Sequence, residues 1–217
     1  MINGMSATPQ APTANHVDAT GSIDYQVSYI ATPQLQQWLR CDVHHAFLIR
    51  RTLETVYFDA EGLPLYESGA QLRERGRYGR SKRTTEAKVP TDAGLRRTTG
   101  DVALTAVAQL AGQRPLQAVA TQVKHRELLL VAAHRFSLAP DFVVALDHAT
   151  VHGMLTSKRH ERCEIELQIF TALPWTSRVD DARVERFQDF CRSCEANFGL
   201  VPNQRNGYQA IPQELLT

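Results

Sequence analysis

The stretch Glu164-Ile165-Glu166-Leu167-Gln168-Ile169 constrains this chain more than any other, because polar and apolar residues alternate along it without a break. Successive side chains of a β-strand point to opposite faces. Cys163, Ile165, Leu167 and Ile169 therefore share one face, and Arg162, Glu164, Glu166 and Gln168 share the other. The apolar face needs a covering layer, and the acidic face belongs either to solvent or to an enclosed polar space. Other strand-like stretches repeat the pattern with the opposite charge. Arg73 and Arg75 share a face, as do Lys124 and Arg126, while Glu86 pairs with Lys88 and Asp147 ends an alternating run from Asp141. Any one such pair is ordinarily the wet face of a half-buried sheet. Several basic pairs and one acidic pair together fit a sheet curled with its charged faces inward, and about eight strands enclose one small ligand.

The rest of the chain supports a single α+β domain. Residues 1–22 hold few large apolar side chains and are expected to be a disordered tail. Strands are predicted for Ile23–Ile30, Phe47–Phe58, Gln71–Arg77, Lys82–Val89, Leu95–Thr99, one or two strands within Pro115–Ala133, and a hairpin from Asp141–His148 into Thr150–Leu155. Thr32-Pro33 opens a short helix, Asp101 a second, and Asp180-Asp181 the best one, with Val184, Phe187, Cys191, Cys194 and Phe198 at helical spacing before Gly199. The domain is expected over residues 23–211, with 212–217 as a short tail.

With 217 residues, 43% hydrophobic and a net charge of +1, the chain is long enough for a proper core. It carries no basic run that calls for a nucleic-acid partner and no apolar run that spans a membrane. No leader segment is visible near the start, so the cytoplasm is the expected compartment. Cys191-x-x-Cys194 lies within a helical stretch and lacks a second ligand pair, which makes it a packed helix face rather than a zinc site. His44-His45 point in different directions in either element type and make a poor metal pair.

In order, these charged strands resemble the CYTH group, the triphosphate tunnel metalloenzymes. The resemblance runs from about Asp24 to Tyr208. It is clearest at Tyr57-Phe58-Asp59, Leu65, Gly69 and Leu72-Arg73-Glu74-Arg75, followed by Lys88, by Lys124 and Arg126, by Asp147 and by Glu164-x-Glu166. It implies an antiparallel eight-stranded β-barrel with helices packed outside. Three places depart from the family pattern. Asp24-Tyr25-Gln26-Val27-Ser28 stands for Glu-x-Glu-x-Lys, Arg97-Thr98-Thr99-Gly100-Asp101 for Arg-x-Glu-x-Glu, and Asn206-Gly207-Tyr208 for Ser-Lys-Tyr.

What the resemblance implies for chemistry follows from charge. Triphosphate needs several cations in an enclosed site. Arg73, Arg75, Lys88, Lys124 and Arg126 would supply them, with Lys88 and Glu166 as the expected catalytic pair. Mg²⁺ or Mn²⁺ would be held by Glu164, Glu166 and Asp147, with Asp24 or Glu86 as weaker ligands. The expected activity is hydrolysis of inorganic triphosphate or of a small organic or nucleoside triphosphate. The alternatives are binding of a phosphorylated ligand without turnover, and class IV adenylate cyclase chemistry. The charged pairs would otherwise be plain cross-strand ion pairs.

Overall fold

The computed structural model describes residues 16–17, 23–24, 26–41, 45–91, 94–131, 140–170, 179–203 and 207–217. The expected tail at 1–15 and 18–22, together with Tyr25, His44 and Asn206, lies outside the described residues.

Two short strands, β1 (His16–Val17) and β2 (Ile23–Asp24), precede eight longer ones. These are β3 (Gln26–Ile30), β4 (His45–Asp59), β5 (Gln71–Arg77), β6 (Arg83–Thr91), β7 (Gly94–Thr99), β8 (Gln117–Val131), β9 (Phe142–Gly153) and β10 (Arg159–Ile169). Neighbours follow the order β2-β1-β7-β6-β5-β4-β8-β9-β10-β3. All ladders are antiparallel except the single bridge from Val17 of β1 to Arg96 of β7. The two ends of this order, β2 and β3, are separated in the chain by Tyr25 alone. A sheet whose first and last strands are chain neighbours must curl back on itself, which is the barrel expected from the sequence.

One correction concerns the hairpin placed within residues 141–155. Phe142–Gly153 is one continuous strand, and the chain turns at residues 154–158 to enter β10. Ala149-Thr150 lacks the residues that a tight turn demands, whereas Gly153 ends the strand where the turn occurs.

The helices α1 (Pro33–Cys41), α3 (Asp101–Ala108) and α4 (Asp181–Phe198) lie outside, and α2 (Pro64–Glu67) is a single turn. Thr32 accepts from the Leu35 N–H at 3.2 Å and so starts α1. Asp180 accepts from the Arg183 N–H at 2.9 Å, and Gly199 at φ +61° ends α4. The outer face of β10, Ile165, Leu167 and Ile169, packs with Val144 and Leu146 of β9 under Phe187, Cys191 and Cys194 of α4. This is the cover the alternating strand required. Burial pushes both thiols up to about 12, as fits packed rather than reactive cysteines.

A second core closes one end of the barrel. Tyr57, Ala120 and Val151 share it with Tyr208, Ile211, Leu215 and Leu216, so the last residues are packed rather than a free tail. Tyr208 stacks on Tyr57 at 5.3 Å and donates to Asp59 at 3.0 Å. Asp59 also accepts from the N–H groups of Ala60, Leu65 and Tyr66 at 2.8, 3.0 and 3.0 Å, fixing α2. The Tyr57-Phe58-Asp59…Leu65 signature is therefore a structural clamp. No helix among the described residues is long and apolar enough to cross a membrane.

Candidate functional site

Register places the predicted basic residues on one face. Arg73 lies opposite Glu86 and Tyr57, Arg75 opposite Thr55 and Thr84, and Gln71 opposite Lys88. Thr55 lies opposite Gln122, Leu53 opposite Lys124, and Arg126 opposite Asp147. Asp147 in turn lies opposite Glu164, and Glu166 is two residues further along the same face of β10. Four strands separate β6 from β10 in the sheet order, yet the charge of Glu166 acts on Lys88, and that of Arg126 acts on Arg75. These side chains thus share the barrel interior. Asp24 lies in β2 opposite His16, and its side chain is outside the described set.

The wall formed by β5, β6 and β7 is dominated by cations. Arg73 grips one oxygen of Glu86 through Nε and Nη2 at 2.9 and 2.6 Å, and Arg97 holds the other at 2.6 Å. Burial alone would push the Glu86 carboxyl up, but Arg73, Arg97 and Arg75 bring it down to about 2. Arg75 donates through Nε to Thr55 Oγ1 at 3.2 Å, and among the described residues it has no carboxylate at ion-pair distance. Burial, then the charge of Arg73, lowers its guanidinium to about 10. The same two causes hold the Lys88 ammonium well below its ordinary range, with Glu166 pulling the other way.

The wall formed by β8, β9 and β10 neutralises itself. Asp147 receives Arg126 Nε and Nη2, both at 2.7 Å, and Lys124 Nζ at 2.7 Å. Arg126 also reaches Glu166 at 3.3 Å, and Glu164 lies 3.7 Å from Lys124 and 3.6 Å from Arg162. Burial would raise the Asp147 and Glu166 carboxyls, but their cationic neighbours hold both below the usual range. Burial would lower Arg126, but Glu166 and Asp147 raise it.

Mg²⁺ or Mn²⁺ prefers free carboxylate and water oxygens in octahedral array. Here both oxygens of Asp147 are taken by cations, Glu164 faces Lys124 and Arg162, and Glu166 faces Arg126. Among the described residues no group of three or more His, Cys, Asp or Glu could hold a metal ion. As arranged, the described residues do not fit a resident metal.

Two interior arginines escaped the sequence reading. Arg97 lies opposite Lys88 on β7, and Arg162 opposite Ala149 on β10. Arg97 has no charged residue two positions away to mark its face. Arg162 was legible as part of the Glu164 face but not as part of the site. The interior opens beside the β5–β6 hairpin, where Leu53, Arg75, Gly76, Arg77, Thr84 and Glu86 line a cavity of about 480 Å³.

No protein-family model and no curated protein sequence matches the chain. Solved structures do. A protein from Bacillus halodurans, named as a candidate adenylate cyclase, matches with a TM-score of 0.56 and 16% identity over 88% of this chain and 97% of its own. A candidate adenylyl cyclase from Hippeastrum, described as having a dominant triphosphatase activity, matches with a TM-score of 0.55 and 12% identity over 88% and 96%. A protein from Pyrococcus horikoshii matches with a TM-score of 0.51 and 15% identity over 88% and 99%. With a curled antiparallel sheet, a charged concave face and these neighbours, the chain has the fold of the triphosphate tunnel, or CYTH, proteins.

Proposed function

We propose that this chain is a triphosphatase-like tunnel protein that takes inorganic triphosphate, or the triphosphate of a small organic or nucleoside ligand, into the barrel interior. The observation that carries this reading is the imbalance of charge. Among the described residues, Arg73, Arg75 and Arg97 on the β5–β7 wall face one carboxylate, Glu86, and Lys88 adds a further cation beside them. Burying that many like charges is unfavourable unless an anion joins them. Arg73 and Arg75 would bind phosphate oxygens bidentately, while Lys88 acts as a point charge whose ammonium form the anion would favour. Lys124 and Arg126 would complete the cradle from the opposite wall.

Two readings of turnover follow. Hydrolysis, with Lys88 and Glu166 at the reacting phosphoryl group, is supported by the triphosphatase activity of the Hippeastrum neighbour. Binding without turnover is supported by the ion-paired state of Asp147, Glu164 and Glu166, which leaves no ready place for Mg²⁺ or Mn²⁺. Cyclase chemistry on ATP is the remaining alternative, in line with the name of the Bacillus halodurans neighbour. Calorimetry with inorganic triphosphate, run with and without Mg²⁺ or Mn²⁺ beside a phosphate-release assay, tests the proposal. Metal-independent binding is expected. Release of phosphate only with metal establishes the hydrolase, binding without release establishes the binder, and no binding at all rejects the proposal.

A further inference from the structure

Two buried side chains, Arg162 and Gln122, hold three hydrogen-bond donors with no acceptor among the described residues. Arg162 points inward from β10 with its side chain only 9% exposed. Its Nη2 donates to the Gly207 carbonyl at 3.0 Å, and its Nε lies 3.6 Å from Glu164 Oε1, too far for a hydrogen bond. Nε and Nη1 are buried and have no hydrogen-bond partner. Gln122, on the inner face of β8, is fully buried. Its Oε1 accepts from the Tyr57 hydroxyl at 3.3 Å, which fixes the amide and leaves Nε2 without an acceptor.

Gly207 joins the two groups. A Cβ built there would sit 3.5 Å from the Tyr57 hydroxyl and 3.9 Å from Arg162 Nη2. Gly207 thus lies beside Arg162 itself and beside the hydroxyl that holds Gln122, so the two side chains that carry the orphaned donors approach the same segment. The interior residues beside them, Ala149 opposite Arg162 and Val151 opposite Gln122, are apolar and offer no side-chain acceptor. Buried donors are rarely left unmade in native proteins. Three buried donors, with Glu164 Oε1 near one of them but beyond hydrogen-bond distance, are complementary to an anion with unshared oxygens.

We propose that Arg162 and Gln122 form an end-reading subsite that takes the terminal phosphoryl group of the ligand. This rests on the function proposed above and adds which part of the triphosphate goes where. The packed cluster of Tyr57, Ala120, Val151, Tyr208 and Leu215 closes the barrel behind the subsite, so a phosphate chain has no room to continue past it. A terminal phosphoryl group also carries one more unshared oxygen and more charge than an internal one. The tunnel accordingly requires a free phosphate end, and the remainder of the ligand extends toward the mouth at Arg77.

The test compares ATP with its γ-methyl ester, which caps the terminal phosphoryl group and removes one charge, in calorimetry on the full chain without metal. The unaltered protein should bind ATP about ten- to a hundredfold more tightly than the ester, the span expected for losing one or two charge-assisted hydrogen bonds. In Arg162→Met that ratio should fall toward one through loss of ATP affinity, and Arg162→Lys should restore part of it. Gln122→Glu keeps an acceptor for the Tyr57 hydroxyl but replaces the free donor with a negative charge, and should lower the ratio in the same way. If Arg162→Met and Gln122→Glu both bind ATP and keep the full ratio, the subsite is wrong while the proposed function stands. If the unaltered protein binds neither ATP nor inorganic triphosphate, the proposed function fails and the subsite with it.

Discussion

The two charged walls of the tunnel are built from the same residue types and end in opposite electrostatic states. On β5–β7 the interior arginines Arg73, Arg75 and Arg97 face one carboxylate, Glu86, among the described residues, and burial beside these cations lowers Arg75 and Lys88. On β8–β10, Lys124, Arg126 and Arg162 face Asp147, Glu164 and Glu166, and each carboxylate lies within 4 Å of at least one cation. Charge therefore decides function through local pairing rather than through totals. One wall carries an excess of cations, and the other is largely neutralised by its own ion pairs, with Arg162 Nε and Nη1 left over. A metal ion on the second wall would have to displace Lys124 and Arg126 from Asp147, which a divalent cation does only by exchanging one set of charge-assisted contacts for another.

The sharpest way to break this comparison is to unlock the second wall. Asp147→Ala strands two buried cations, and removing one partner of a buried ion pair costs about 3–5 kcal/mol. A reversible urea melt should show that loss, and triphosphate affinity without metal should rise because Lys124 and Arg126 are freed. Leu167→Ala, on the outer face of the same strand as Glu166, should destabilise by about 2–5 kcal/mol without changing affinity, which separates stability from charge. If Asp147→Ala instead abolishes a metal-dependent phosphate release and leaves affinity unchanged, Asp147 is a metal ligand and the second wall has been misjudged.

The next effect belongs to the first wall. Lys88→Met should weaken triphosphate binding about ten- to a hundredfold. It should also raise the melting temperature at neutral pH, by about 2–4 °C for each kcal/mol recovered. The sign follows from linkage. Lys88 titrates lower in the folded protein than its unfolded value of about 10.4, so the unfolded chain binds more protons and the fold is penalised as pH drops below that value. Melting temperature should therefore climb from pH 7 toward pH 10 in the unaltered protein, and this contribution should be missing in Lys88→Met. An equal climb in both proteins would show that Lys88 is not the strained group.

Glu86 gives the smallest effect and the opposite sign. Its folded value of about 2 lies below the unfolded value of about 4.3, so its stabilising contribution is full above the unfolded value. That contribution drains away as pH falls from about 4.3 through 2. Glu86→Gln should be less stable at pH 7 and lose less on acidification, as read by urea melts at pH 6, 4 and 3. An unchanged acid slope would mean that Arg73 and Arg97 do not hold Glu86 as the geometry indicates.

The strand faces were legible because period-two alternation is a local property of the chain. Glu164 and Glu166 could be placed on one face and Leu167 on the other before any fold was known, and the spacing of Arg73 with Arg75 and of Glu86 with Lys88 worked in the same way. Helical spacing likewise placed Cys191 and Cys194 on a packed face. The hairpin read within residues 141–155 failed because alternation says that a segment is a strand but not where a long strand ends. Arg97 was missed for want of a charged partner at spacing two.

By itself, then, the sequence determined which side chains share a strand face and that the charged faces outnumber what a wet sheet needs, since both follow from backbone geometry and composition. Only the tertiary structure decided who neutralises whom. Asp147 meets Arg126 because β8 and β9 pair in one register, and it meets Glu164 because β9 and β10 pair in another. A register shifted by two residues would keep every face assignment and would move Asp147 off the cation opposite it. The curl of the sheet was decided at the same level. It brings Lys88 under the charge of Glu166 and sets Gly207 against Tyr57 and Arg162, contacts between segments far apart in sequence that no local pattern encodes.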